Sequence, residues 1–116
     1  MKHFMKLQNE PFTNIKRGTK TVEMRLFDEK RKQIKVGDTI EFTNVATSEK
    51  LYAKVIALHK FKNFEELYSH FNKTQLGYKQ TDNANPDDMN QYYTNEYIDK
   101  YGVLGIEIKK YETNLT

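Results

Sequence analysis

The residues from Gly18 to Arg25 read GTKTVEMR, which places an ammonium at Lys20, a carboxylate at Glu23 and a guanidinium at Arg25 within six positions. A carboxylate flanked by two cations can accept from an amino group or take up a proton, while the cations hold phosphate or a developing oxyanion. Lys16 and Arg17 lie just upstream and add positive charge to the same stretch. At the end of a helix they also offset its dipole, a role that needs no ligand. Two readings stand side by side. One is a solvated strand face carrying a local ion pair worth at most about 1 kcal/mol. The other is the floor of a binding site.

Little other chemistry is spelled out in the chain. There is no cysteine, which excludes disulfides, thiolate nucleophiles and cysteine-based zinc sites. His3, His59 and His70 show neither H-x-H nor HExxH spacing, so no metal site is expected. The five glycines form neither G-x-G-x-x-G nor a P-loop, and no GxSxG surrounds Ser48 or Ser69. No cofactor is expected. Among the eight tyrosines, Tyr92, Tyr93, Tyr97 and Tyr101 cluster. Exposed, they could stack on unpaired bases; the reading adopted for most of them is packing in a core without tryptophan.

Formal net charge is +3 over 116 residues, but it is unevenly spread. Residues 1 to 80 hold sixteen basic and nine acidic side chains, and residues 81 to 116 hold three and seven. The basic part suits an anionic partner such as nucleic acid, through contacts that weaken with salt. The length suits one domain, 1–116, and a monomer is the default. The apolar runs are too short for a signal peptide or a membrane span, so a cytoplasmic protein is expected.

The elements that must hold these residues follow from periodicity. HFMKL reads as a short strand. Glu10 to Arg17 reads as a two-turn helix, with Pro11 near its start, Phe12 and Ile15 on one face and Gly18 ending it. In TVEMRL, Val22, Met24 and Leu26 alternate with Thr21, Glu23 and Arg25, the period of a strand. If the apolar set enters the core, Glu23 and Arg25 project together from the opposite face, with Lys20 at the preceding turn. A charged loop with a turn at Gly37 and Asp38 leads to the strand TIEFTN, and then to LYAKVIALHKF, apolar on both faces and therefore central. NFEELYSHF is the clearest helix, with Asn63 as cap, Glu66 three residues on, and Phe64, Leu67, Tyr68 and Phe71 at helical spacing. Residues 72–85 read as a polar loop. A helix capped by Asn85 with Pro86 in its first turn is expected to run, irregularly, through Ile98. VLGIEIKKY is the last strand. The order β, α, β, β, β, α, α, β suggests α+β, with the three middle strands in an antiparallel meander and the sheet curled or closed.

The set Gly18, Lys20, Glu23 and Arg25 resembles the G-x-K-x-x-E-x-R signature of the ASCH domain, a PUA-like fold. RKQIKVGDTIEF and YGVLGIEIKKY are similar to that family's second and last core strands. The resemblance implies a small, mixed but mainly antiparallel β-barrel with flanking short helices. It also implies a cleft along the signature strand for RNA or a nucleoside or nucleotide ligand, held by Lys20, Glu23 and Arg25 with Lys16 and Arg17 nearby. Some ASCH members are hydrolases that remove an acyl group from a modified cytidine with a Lys, a Thr and a Glu. Here Lys20 matches the lysine, Glu23 stands in the threonine's place, and NKTQLG offers no carboxylate where the glutamate is expected. Other members are linked to cleavage of single-stranded RNA, for which Glu23 as base and Lys20 or Arg25 as anion stabiliser suffice without metal. The reading is RNA or modified-nucleotide binding, with a metal-independent hydrolase using Lys20 and Glu23 as the alternative.

Overall fold

The computed structural model describes residues 1–112, so positions 113–116 of the expected 1–116 domain lie outside the described residues. In chain order the elements are β1 (Lys2–Leu7), α1 (Asn9–Arg17), β2 (Val22–Leu26), a 3-10 turn at Arg31–Gln33, β3 (Thr39–Asn44), β4 (Lys50–Phe61), α2 (Phe64–His70), a 3-10 helix at Pro86–Gln91, α3 (Asn95–Tyr101) and β5 (Val103–Lys110). The five strands make one mixed sheet in the order β1-β3-β4-β5-β2. β1 runs parallel to β3, and every other pairing is antiparallel.

β4 is central, as its two apolar faces require. It pairs with β3 over its first half and with β5 along most of its length, through a register shift between Val55 and Ala57. That bulge adds twist, which helps a five-stranded sheet to curl. The expected meander is corrected: β3 and β4 form a hairpin, but β2 leaves the group and pairs with β5 at the far edge. Residues 27–38 are too long a connection to impose a tight turn, so β2 is free to seek a partner elsewhere. The sheet curls into a small barrel whose two edge strands are β1 and β2. Between those edges Arg25 Nη2 on β2 donates to the Lys6 carbonyl on β1 over 3.0 Å.

Apolar side chains gather on both sides of the curl. The inner cluster joins Met5 and Leu7 of β1, Phe12 and Ile15 of α1, Ile40 and Phe42 of β3, and Leu104, Ile106 and Ile108 of β5. The outer cluster joins Val22, Met24 and Leu26 of β2 to Phe64 and Leu67 of α2, Met89, and Ile98 of α3. Gly105 belongs to this outer contact, because a Cβ there would lie 3.0 Å from the Phe71 ring.

Local signals set the helix ends. Gly18 takes φ 83°, the left-handed geometry that closes α1. Asn63 accepts from the Glu66 N–H at 2.9 Å, and the Glu66 carboxylate reaches back to the Lys62 N–H at 2.9 Å. The helix expected from Pro86 through Ile98 is corrected to two elements. Asn85 caps only a 3-10 helix that ends at Gln91, and Thr94 then caps α3 by accepting from the Tyr97 N–H. A threonine cap forces extended backbone at its own position, ψ 155° at Thr94, so one continuous helix cannot pass through it.

Candidate functional site

The turn between α1 and β2 is tied down by shared carbonyls. Thr19 and Lys20 both donate their backbone N–H to Asn14 O, and Thr21 and Val22 both donate to Gln75 O, all at 3.0 to 3.1 Å. Backbone of the 72–78 segment is thus clamped to the start of β2. The Lys20 stem runs beside Gly77, where a Cβ would sit 3.2 Å from Lys20 Cδ and where φ is +107°. Nothing larger than glycine fits that approach without strain. At the end of the stem Lys20 Nζ donates to the Leu76 carbonyl at 2.9 Å and stands 3.6 Å from Glu23 Oε1.

β2 places Glu23 opposite Ile106 and Arg25 opposite Leu104 of β5. Directly paired residues share a face, so both charged side chains project to the inner side of the curl, beside the inner apolar cluster. Glu23 is 5% exposed, as is Lys20. Arg25 Nε donates to Glu23 Oε2 at 2.9 Å and Nη2 lies 2.8 Å from the same oxygen. β2 alternates as its sequence predicts but is not a solvated strand face, because both of its faces are covered. The cluster is a buried chain of cation, carboxylate and cation, with each charge met by an opposite one or by a carbonyl.

Burial is the largest influence on Lys20 and pushes its pKa below the ordinary lysine value, with Glu23 opposing and Arg25 adding to the fall. Burial also works against ionisation of Glu23. There, however, the charges of Arg25 and Lys20 and the hydrogen bonds from Arg25 and the Met24 backbone prevail and hold the carboxyl below the usual carboxylate range. Glu23 is an anion, with Oε2 pinned by Arg25 and Oε1 3.6 Å from Lys20 Nζ.

These groups lie on the floor of a cavity of about 550 Å³. Its other walls are Lys6 to Gln8 at the end of β1, Pro11 and Asn14 of α1, and the segment from Leu76 to Tyr93. Four tyrosines line it: Tyr68, Tyr78, Tyr92 and Tyr93. Tyr68 and Tyr78 share a hydroxyl hydrogen bond of 2.8 Å, and Tyr78 donates onward to Asp88 Oδ2 at 2.7 Å. Burial and these two bonds push the Tyr78 phenol above its ordinary pKa, so it stays a donor. Core packing accounts for Tyr68, Tyr78, Tyr93 and Tyr101, which rest against the outer cluster, whereas Tyr92 and Tyr97 are about half exposed.

Lys16 and Arg17 adjoin the cluster in sequence and stand apart from the cavity. Neither lines the cavity. Lys16 Nζ pairs with Glu49 in the β3–β4 turn, and Arg17 is exposed at the end of α1. They occupy the last turn of the helix, where the chain has already turned away from the β2 floor. Sequence reasoning missed Leu76 and Gly77, because a carbonyl that receives a lysine and a glycine that makes room for it leave no side-chain signal. The phi-demanding Gly77 in an otherwise polar loop was the one available hint. Among the described residues no group of three His, Cys, Asp or Glu side chains is placed to hold a metal ion, and no helix is long and apolar enough to cross a membrane.

The family model described as ASCH domain matches residues 5–112, a span that includes the whole cluster. The crystal structure of hypothetical protein PH0355 is 34% identical with a TM-score of 0.81, covering 96% of this chain and 100% of its own. The solution structure of protein PF0455 from Pyrococcus furiosus is 33% identical with a TM-score of 0.76, covering 97% and 100%. The ASCH crystal structure from Zymomonas mobilis is 14% identical, with a TM-score of 0.64 over 93% of this chain and 66% of its own, and so shares the fold. Among curated proteins none matches this chain. The curled five-stranded sheet, the signature residues on its inner floor and a family match over nearly the full length lead to one conclusion: the chain belongs to the ASCH domain family.

Proposed function

We propose that the cavity binds RNA or a modified nucleotide by taking a base against Glu23. The observation that carries this reading is the state of the carboxylate: buried, ionised, held by Arg25 through Oε2 and part of the cavity lining. An exocyclic amine is the matching donor, and its bond to a charged acceptor in a dry site contributes more than the same bond in water. The cavity volume lies in the range of small-ligand sites, and its tyrosines offer flat apolar walls. Lys20 and Arg25 keep the floor cationic, which favours a phosphate or a polarised carbonyl beside the base.

Around the cavity the balance differs from that of the floor. Three cations, Lys6, Lys20 and Arg25, face Glu10, Glu23, Asp82 and Asp88. A long phosphate chain gains little from such a lining. The base, rather than the backbone, is the better match. The hydrolase alternative asks Lys20 and Glu23 to move protons or assist a nucleophile, yet Lys20 is held by Leu76 O and Glu23 by Arg25. That arrangement favours holding a ligand over turning it over.

The test is calorimetric titration of a nucleoside panel and of inorganic tripolyphosphate against the wild type and Glu23→Gln, with product analysis of each mixture. Loss of a charged acceptor should weaken an amine-bearing base by about 1.5–3 kcal/mol, while tripolyphosphate binds as well or better. An identical response of both ligands removes base reading from Glu23. Product that disappears in Lys20→Met establishes the hydrolase instead.

A further inference from the structure

The cavity leaves the basic excess of the first eighty residues unexplained. Part of it lies elsewhere, on the outer face of β1, β3 and β4, where Lys109 at the end of β5 joins it. Strand register assembles three cross-strand rows there. Lys2, Thr39, Lys54 and Lys109 form one, Phe4, Glu41 and Tyr52 the next, and Lys6, Thr43 and Lys50 the third, with Lys6 at the border that the face shares with the cavity. Tyr111 extends the middle row, since its N–H donates to Tyr52 O at 2.9 Å, and its hydroxyl lies across the face within 3.1 Å of Thr39 Oγ1. Five lysines thus stand against the single carboxylate of Glu41, which Lys2 and Lys50 hold at 3.1 and 3.0 Å. α2 and α3 cover the other end of the sheet through the outer apolar cluster and leave these rows bare. Phe4 is 58% exposed, Tyr52 39% and Tyr111 44%.

We propose that this bare face binds single-stranded nucleic acid, independently of the cavity. Exposed rings on a soluble sheet face are costly to maintain without a partner, and three on one face ringed by lysines suit stacked bases flanked by phosphates. Open sheets that read single strands use the same pairing of aromatic platforms and cations. Phe4 and Tyr52 lie two strands apart, about 10 Å at ordinary strand spacing. Lys2 Nζ stands between them, 5.6 Å from one ring centroid and 5.1 Å from the other. Lys2 Nζ lies over both rings and beside Glu41, so bases stack on the rings only as that ammonium swings from the ring faces onto a phosphate. A duplex presents no free base faces, so the rings would find nothing to stack on. An acidic protein would use the lysines and leave the rings idle.

Anisotropy titration of a labelled ten-nucleotide oligouridylate tests this, with a duplex of the same length and heparin as competitors. Tyr52→Ala and Phe4→Ala should each weaken the single strand at least five-fold, and Tyr52→Phe should restore it. Heparin binding should not change with either ring. Replacing Lys54 and Lys109 together by glutamine should reduce the slope of log affinity against log salt by about 1.4, at about 0.7 for each phosphate contact. Lys16→Ala, in neither the rows nor the cavity lining, should leave the affinity within two-fold. Unchanged binding in both ring variants, equal affinity for duplex, or a loss in Lys16→Ala as large as that in Tyr52→Ala would each overturn the proposal. Both rings are exposed, so melting midpoints of the variants should match the wild type and separate lost binding from lost fold.

Discussion

Two ion pairs begin seven residues apart in the chain and end in opposite circumstances. Lys16 and Glu49 meet with side chains 55% and 44% exposed, and water can replace either partner. Glu23 and Arg25 meet with side chains 6% and 14% exposed, with Lys20 and the Lys6 carbonyl as their further partners. The chemistry is the same. What differs is the medium, and with it the penalty for leaving a charge alone. In the exposed pair, attraction and solvation nearly cancel. In the buried cluster every charge depends on its neighbours, so the cluster moves and fails as a unit. Such an arrangement is a poor way to gain stability and a good way to hold one carboxylate oxygen in a fixed place.

The comparison breaks most visibly at Arg25. Arg25→Met leaves Glu23 with Lys20 alone and should cost about 3 kcal/mol in a denaturant titration, lowering the melting midpoint by roughly 10 °C at this chain length. A loss below about 1 kcal/mol would place the cluster with the surface pairs. The sharper version replaces all three charges, as Lys20→Met, Glu23→Leu and Arg25→Met together. That chain should be far more stable than the sum of its single variants, because it leaves no orphan charge. It should also bind no nucleoside.

Gly77→Ala probes the same cluster through the lysine stem. A side chain at φ +107° is strained, and its Cβ would press on Lys20 Cδ at 3.2 Å. About 2 kcal/mol of stability should be lost, and nucleoside affinity should fall with it as Lys20 Nζ shifts. An alanine that leaves both unchanged would detach Gly77 from the site.

Acid should separate the regions by a smaller amount. Glu23 has a folded pKa below its unfolded one, so its contribution is present above the unfolded value, near pH 4.3, and is lost as pH falls through the folded value. Asp38 behaves with the same sign. His3 and the Lys35 N–H hold it at about 2, against about 3.9 when unfolded. Stability measured from pH 6 to pH 2 should decline below pH 4.3 in the wild type, and less steeply in Glu23→Gln. Identical slopes would mean that Glu23 does not titrate differently on folding. Lys16→Ala should give the smallest effect, below about 0.5 kcal/mol, with nucleoside binding unchanged.

Much of this was legible in order along the chain. The helix caps at Gly18 and Asn63 and the two-residue period of β2 are local properties, set by backbone geometry within a few residues, and each lies where the pattern puts it. The ion cluster was legible as residue types, because Lys20, Glu23 and Arg25 sit on adjoining positions of one turn and one strand face. Where reasoning from the chain failed, a distant segment had decided the outcome. β2 pairs with β5, eighty residues downstream, rather than with β3.

By itself, then, the amino-acid sequence determined which residues alternate, where helices start and stop, and that a carboxylate lies between two cations. Those follow from steric and hydrogen-bonding preferences that act over one to four positions. Only the tertiary structure decided that the charged face of β2 turns inward. It also decided that the Leu76 carbonyl completes the coordination of Lys20, and that a row of lysines and rings gathers across β1, β3 and β4. Burial and cross-strand registry depend on which strands become neighbours. That choice is made by the whole core at once, through the need to cover both sides of a curled sheet.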